Sequence, residues 1–223
     1  SEMCIRDRKI VSEDGFATVI SKNIDLTSKI NSYEEAEDFR LTFYNAGHIL
    51  GSSIAHLHVG DGIYNVVYTG DLNFSRSRLL DAAHTDFPRA ESVIMESTYG
   101  GKDDVQPTRQ EAEKKFLEII KKTTEQKGKV LIPVLGVGRS QEMMLILEQA
   151  YRNKQIEGFR VYIDGMVWDA TAIYTAYPEY LSENVRKLVF RRDHNPFLSD
   201  LFTRVGSPEE REKVISRDCG LPI

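Results

Sequence analysis

Cysteine is scarce in this sequence. The 223 residues contain two cysteines, Cys4 and Cys219, which lie near opposite ends of the chain. Two cysteines placed in this way build neither a disulfide framework nor a cysteine-based zinc site. A metal ion bound by this chain would therefore have to be held by histidine and carboxylate side chains.

Long apolar runs and an excess of basic charge are also missing. No stretch approaches the roughly 20 apolar residues that a membrane-spanning helix needs, and the N-terminal residues lack the apolar core of a secretory signal. We therefore expect a cytoplasmic protein without a membrane partner. The net charge of −5 argues against a protein that coats nucleic acid non-specifically. It does not exclude an enzyme that binds a few phosphates in one cleft, because total charge does not report local charge.

The residues that are present have the composition of a folded globular protein. Apolar residues make up 41% and charged residues 28% of the chain, which excludes disorder, collagen and a coiled coil and fits one large or two small domains. Residues 1–8 and 216–223 show no amphipathic period or capped element. We expect both segments to lie outside the fold, and the chain to be a fragment cut at both ends.

Short strands dominate the first part of the sequence. Alternation of apolar and polar residues predicts strands over 41–46, 53–59 and 63–68, of which the last two form an antiparallel hairpin. A short buried strand follows over 92–95. His56 and His58 fall on one face of the second predicted strand, because side chains alternate along a strand.

The second part alternates helices and strands. Thr108 and Glu111 form a capping box that opens a helix ending at Gly128. A strand over 129–135, a helix over 139–153, a strand over 161–163 and a helix over much of 168–176 follow. This order predicts a parallel, doubly wound sheet, with the boundary to the antiparallel part near Tyr99.

Three polar residues stand where predicted strands end. His48 lies in a glycine-flanked loop, Asp71 follows the hairpin, and Glu96 ends the next strand. Histidine nitrogen and aspartate oxygen are natural zinc ligands, and a glutamate there either orients a histidine or caps a helix. Separately, His48 could bond a backbone carbonyl and Asp71 could cap its own turn. Together the three favour a functional site.

The motifs around these residues resemble the β-CASP branch of the metallo-β-lactamase superfamily, most closely the archaeal homologues of the cleavage and polyadenylation specificity factor endonuclease. The resemblance extends from about residue 30 to residue 214. It rests on YNAGHILGS at 44–52, YTGD at 68–71, MESTYGG at 95–101, VLGVGRSQE at 134–142, DGM at 164–166 and NPFL at 195–198.

The resemblance implies a fold and an activity. The fold class is α/β: part of a metallo-β-lactamase αβ/βα sandwich over residues 9–98, followed by part of a β-CASP domain with a parallel sheet over 99–215. The implied reaction is zinc-dependent hydrolysis of RNA phosphodiester bonds, in 3′-end formation, transcription termination or decay. His48 matches a zinc ligand, and Asp71 matches the carboxylate that bridges two zinc ions. The resemblance also implies that Asp71 and Glu96 are the catalytic residues, and that Glu96 supports a histidine that acts as general acid. Relatives of this kind dimerise, so a homodimer is expected.

Much of the family's ligand set is missing from these 223 residues. The His-x-His-x-Asp-His motif that supplies most zinc ligands is absent, and so are two later histidines of the family. His56-Leu57-His58 imitates the start of that motif, but we interpret it as a strand face, and we interpret His84 and His194 as non-ligands. The chain is therefore expected to hold a partial metal site, to bind zinc weakly, to cleave RNA poorly or not at all on its own, and to expose apolar surface.

A glycine-rich turn before the predicted helix at 139 suggests a further contact. Gly136-Val137-Gly138-Arg139 lacks the Gly-Lys-Ser/Thr of a phosphate-binding P-loop and the third glycine of a dinucleotide fingerprint. Backbone amides that open a helix and an arginine nevertheless suit a phosphate. Arg139 is therefore a candidate for binding RNA, or else it fastens the loop to a carboxylate.

Two other functions remain open. A nuclease-dead β-CASP paralogue would keep the fold and bind RNA as a scaffold. A small-molecule metallohydrolase of the wider superfamily would use the same metal chemistry, although the α/β segment after Glu96, which roofs a cleft for a polymer, argues against it.

Overall fold

The computed structural model describes residues 9–13, 16–20, 39–60 and 63–216. Residues 1–8 and 217–223, which fall in the termini expected to lie outside the fold, are outside these ranges. The chain divides into two compact units. The first comprises Ser1–Arg76 and Ala82–Tyr99, and the second comprises Ser77–Asp81 and Gly100–Ile223. The assignment of domains to 9–98 and 99–215 stays a prediction.

The first unit is built on a six-stranded sheet whose strands lie side by side in chain order. The strands are β1 (Lys9–Glu13), β2 (Phe16–Ile20), β3 (Phe39–Asn45), β4 (Ser53–Val59), β5 (Tyr64–Tyr68) and β6 (Ser92–Ile94). The first four neighbouring pairs are antiparallel, and the β5–β6 pair is parallel. The predicted hairpin is confirmed, with Ala55 opposite Tyr68 and Val59 opposite Tyr64.

A small apolar core lies on one face of this sheet. It comprises Ala46, Ile54, Val67 and Ala83, against which the partly buried Tyr44, Leu72 and Phe87 pack. His56 is fully buried and alternates with less buried neighbours along β4, as the strand period predicts. The segment after Ala82 therefore covers this face of the sheet.

The second unit combines helices with a two-stranded parallel sheet. Its elements are α1 (Arg109–Glu125), α2 (Arg139–Arg152), β7 (Val161–Ile163), α3 (Val167–Ala176), α4 (Glu183–Arg192), β8 (Phe202–Arg204) and α5 (Pro208–Ser216). β7 and β8 are parallel, so the predicted α/β class with parallel strands is confirmed. Helix α2 provides much of the core of this unit, since Met144, Leu145, Ile146, Leu147 and Ala150 are all buried.

The capping box at the start of α1 is also confirmed. The Glu111 amide donates to Thr108 Oγ1, and the Thr108 amide donates to Glu111 Oε2 at 3.0 Å. The helix ends earlier than predicted, because Lys127 adopts a left-handed φ of 56°. The Gly128 amide then donates to the Thr123 carbonyl at 2.8 Å. Gly128 thus follows the left-handed residue instead of supplying it.

The predicted strand over 129–135 is wrong. These residues are assigned no strand, and Leu131 and Leu135 are 92% and 73% exposed. An apolar run becomes a β-strand only when another strand pairs with its backbone groups. In the described part of the chain, β7 and β8 pair with each other and no strand pairs with 129–135. Among the described helices, none is both long and apolar enough to span a bilayer.

Candidate metal centre

The loop that carries His48 is shaped by the polar residues at its two ends. The Gly47 amide donates to Asn45 Oδ1 at 2.9 Å, and Asn45 Nδ2 donates to the Ala82 carbonyl at 3.1 Å. At the other end, Ser52 Oγ accepts from the amides of His48 and Ile49 at 3.2 and 3.1 Å. These bonds satisfy the backbone amides of Gly47, His48 and Ile49. The His48 side chain itself is 42% exposed.

Gly47 is required by this loop for two reasons. Its φ of +67° is in the left-handed region, and a Cβ there would lie 2.7 Å from the Ala83 nitrogen and 2.8 Å from the Asn73 oxygen. Both atoms belong to the backbone and cannot move aside as a flexible side chain would. The glycine before His48 therefore lets the loop pack directly on the neighbouring segment.

Asp71 and Glu96 come together because β5 and β6 are parallel neighbours. The carboxyl ends of the two strands meet at the same edge of the sheet, with Tyr68 beside Ile94. Glu96 Oε1 accepts from the Leu72 amide at 2.8 Å, and Glu96 Oε2 accepts from the Thr98 hydroxyl. The Thr98 hydroxyl, the Leu72 amide and the nearby His48 ring together hold the pKa of Glu96 below its ordinary value.

His48 and Asp71 face each other across this edge. His48 Nε2 lies 3.9 Å from Asp71 Oδ2, and the two side chains are 42% and 73% exposed. Two ligands of one tetrahedral zinc ion lie about 3.3 Å apart, so a small side-chain rotation would let both bind the same ion. The donor types and their separation therefore fit a metal. Within the described ranges, no three histidine, cysteine, aspartate or glutamate side chains are arranged to hold one.

The structure thus brings His48, Asp71 and Glu96 together, as the sequence predicts, and it provides two of the donors that a zinc site needs. Neither expected alternative for Glu96 describes its hydrogen bonds, which go to a backbone amide and a threonine. The roles of Asn45, Ser52 and Thr98 were not predicted from the sequence. Short polar residues one to four positions from the candidate ligands are the signal that could have identified them.

The remaining histidines have other surroundings. His56 and His58 lie on one face of β4 with ring centroids 4.0 Å apart, and His58 Nδ1 is 2.7 Å from Asn65 Oδ1. His84 Nε2 lies 2.6 Å from the Asp86 carbonyl, and His194 Nε2 lies 2.8 Å from Glu148 Oε1.

His56 is unusual because neither of its buried ring nitrogens has a hydrogen-bond partner in the described structure. Burial is the largest cause that lowers the pKa of His56. The neighbouring His58 lowers it further, and His84 does so to a smaller extent. The Arg89 backbone and the Glu91 carboxylate act in the opposite direction and raise this pKa.

Arg139 is the first residue of α2 and is exposed. The turn before it is held by the buried Gln141, whose Oε1 accepts from the Gly138 amide at 2.7 Å. Among the described residues, no carboxylate lies within ion-pair distance of the Arg139 guanidinium. Within the described residues, Arg139 therefore does not fasten the loop to a carboxylate.

The mixed sheet, the α/β second unit and the strand-end cluster of histidine and carboxylates agree with the expected resemblance to the β-CASP branch. Residues 140–220 match the Beta-Casp domain, so this stretch of the chain belongs to the β-CASP family.

Similar proteins are archaeal transcription termination factors named FttA. The one from Methanocaldococcus jannaschii is 59% identical over 179 residues, which cover 80% of this chain and 28% of that protein. Those from Methanothermobacter thermautotrophicus and Pyrococcus horikoshii are 54% and 53% identical, over 81% and 80% of this chain. The chain spans 27–28% of the length of these three relatives.

Proposed function

We propose that the complete gene product is a zinc-dependent ribonuclease that acts in transcription termination, and that this chain contributes part of its metal centre. The observation that carries the proposal is the meeting of His48, Asp71 and Glu96 at one sheet edge, with 3.9 Å between His48 Nε2 and Asp71 Oδ2. The name of the similar archaeal proteins, transcription termination factor, supports the biological role.

The chain's own residues have distinct tasks in this proposal. His48 Nε2 and Asp71 Oδ2 would hold zinc, which when bound supplies Lewis-acid polarisation of the phosphoryl group. The exposed guanidinium of Arg139 would bind a backbone phosphate of the RNA, since its fork of donors matches two phosphate oxygens. Glu96 keeps its negative charge beside His48, because its hydrogen bonds lower its pKa.

The test is cleavage of an end-labelled RNA by the complete gene product. We expect cleavage to stop on chelation of zinc and its rate to fall at least about 100-fold in Asp71→Asn. Mutation of a residue that only supports a metal ligand typically lowers activity about 10–100-fold, and loss of the ligand itself should cost more. Asp86→Asn is the matched control, since Asp86 is an exposed aspartate of the same unit. Cleavage by Asp71→Asn at the wild-type rate would contradict the proposal.

An RNA-binding assay and a thioester hydrolysis assay on the same gene product separate the alternatives. RNA binding without cleavage under any metal condition would support a nuclease-dead scaffold. Zinc-dependent hydrolysis of a thioester with RNA left intact would support a small-molecule metallohydrolase. The homodimer implied by the resemblance is also a proposal, and light scattering by the complete gene product checks it.

A further inference from the structure

Asp71 has little to hold it in place. Its side chain is 73% exposed, and the described structure records one contact for it, to His48. The residue before it is Gly70, with a left-handed φ of 56°. The position of this carboxylate must therefore come from the backbone on either side of it.

That backbone is attached at three points. The Thr69 amide donates to the Ile94 carbonyl at 3.0 Å before Asp71, and the Leu72 amide donates to Glu96 Oε1 at 2.8 Å after it. The Asn73 amide then donates to the Ala46 carbonyl at 2.9 Å, next to the His48 loop. The first two attachments come from one segment, residues 94–96, so this segment holds Asp71 from both sides.

We propose that Glu96 is a positioning residue that sets the place of Asp71, by fixing the Leu72 amide with one carboxylate oxygen while Thr98 fixes the other. This inference rests on the proposed function, because it takes Asp71 to be a metal ligand. It departs from the role that the family resemblance implies, in which Glu96 supports a histidine general acid.

The physical basis is the strength and direction of these two bonds. A charged acceptor makes shorter and stronger hydrogen bonds than a neutral one. The Thr98 hydroxyl occupies the second oxygen, so the carboxylate has a defined orientation toward Leu72. Without Glu96, the backbone between Thr69 and Asn73 loses its central attachment, and Asp71 follows a glycine that imposes no restraint of its own.

Glu91 provides a matched control within the same unit. Glu91 Oε2 accepts from the Asn65 amide at 2.7 Å and from Asn65 Nδ2 at 2.8 Å. It therefore makes the same kind of bond to a backbone amide, at the start of β6 instead of past its end. Removal of Glu91 should loosen Asn65 without any effect at Asp71.

The experiment uses amide hydrogen exchange and a zinc titration, both followed by NMR on the 223-residue chain. In Glu96→Ala, we expect exchange of the Leu72 amide to accelerate at least about tenfold and the zinc Kd to rise about tenfold or more, as for other residues that orient metal ligands. Thr98→Val, which keeps the carboxylate, should show a smaller change in the same direction. Glu91→Ala should change exchange at Asn65 only.

Glu96→Gln tests whether Glu96 acts by positioning Asp71 or through the negative charge of its carboxylate. Its amide oxygen can still accept from Leu72, so we expect it to recover most of the Leu72 protection and zinc affinity lost in Glu96→Ala. Unchanged Leu72 exchange in Glu96→Ala, or equal zinc Kd values for Glu96→Gln and Glu96→Ala, would overturn the proposal.

Failure of the proposed function would look different. A wild-type chain whose His48 and Asp71 signals do not respond to zinc would overturn the metal centre and, with it, the positioning of a ligand. Zinc binding together with intact RNA in the cleavage assay would overturn the ribonuclease alone and leave the role of Glu96 standing.

Discussion

Glu142 should be among the most sensitive positions of the second unit. Glu142 lies on α2 and is 8% exposed, and its carboxylate accepts three hydrogen bonds. They come from the amides of Arg78 and Leu79 at 3.0 and 2.9 Å and from Arg109 Nη1 at 2.8 Å. Glu142 thereby attaches residues 77–81, which belong to this unit although they precede it in the sequence.

The expected cost of Glu142→Ala follows from what it leaves unpaired. Two backbone amides beside the buried Leu79 lose their acceptor, and each lost bond to a charged group costs roughly 1.5–3 kcal/mol. The Arg109 side chain is 34% exposed, so water compensates part of its loss. We therefore expect a destabilisation of about 3 kcal/mol, at the lower limit for breaking a buried ion pair.

Urea unfolding followed by tryptophan fluorescence reports this loss of stability from the second unit, where Glu142 lies. Trp168, the only tryptophan in the sequence, lies in α3 of the second unit. With a slope of about 2 kcal/mol per molar urea, the midpoint should fall by roughly 1.5 M. Glu118→Ala removes a 65%-exposed partner of Lys114 and should change stability by less than about 0.5 kcal/mol. Equal midpoints for Glu142→Ala and Glu118→Ala would refute the reasoning.

Three other perturbations have defined outcomes. Lys127→Gly should stabilise the chain by about 0.5–1 kcal/mol in thermal unfolding, because glycine relieves the left-handed backbone of Lys127 at a smaller cost in unfolded-state entropy; no gain would contradict the helix end described above. Because burial lowers the pKa of His56 in the folded state, the unfolded chain binds the proton first as the pH falls below about 6.5. The melting temperature should therefore drop between pH 7.5 and 5.5, and His56→Phe should reduce that drop; an equal drop in both proteins would contradict it. Arg139→Ala should weaken RNA binding by the complete gene product and lower its salt dependence by about one counterion; unchanged binding and slope would exclude the phosphate contact.

Local patterns were enough to predict much of this fold. The hairpin of β4 and β5 follows from alternation of side chains, and the start of α1 follows from Thr108 and Glu111, because both depend on residues close together in sequence. The end of α1 did not follow, since the left-handed residue is Lys127 and glycine is the usual choice there.

Features that depend on distant pairing could not be predicted. Residues 129–135 have the composition of a buried strand, but the described chain offers them no partner strand. The bond from the Leu72 amide to Glu96 depends on the parallel register of β5 and β6, in which Tyr68 lies beside Ile94. The sequence could place Asp71 and Glu96 at strand ends. The register brings the two ends together.

Metal content tests most directly the proposal that Asp71 binds zinc in a ribonuclease. The measurement is zinc per chain, by elemental analysis of the dialysed complete gene product, for the wild type, Asp71→Asn and the control Asp86→Asn. We expect two zinc ions in the wild type and in Asp86→Asn, and a lower content in Asp71→Asn, which loses a carboxylate ligand. An equal zinc content in all three proteins would contradict it.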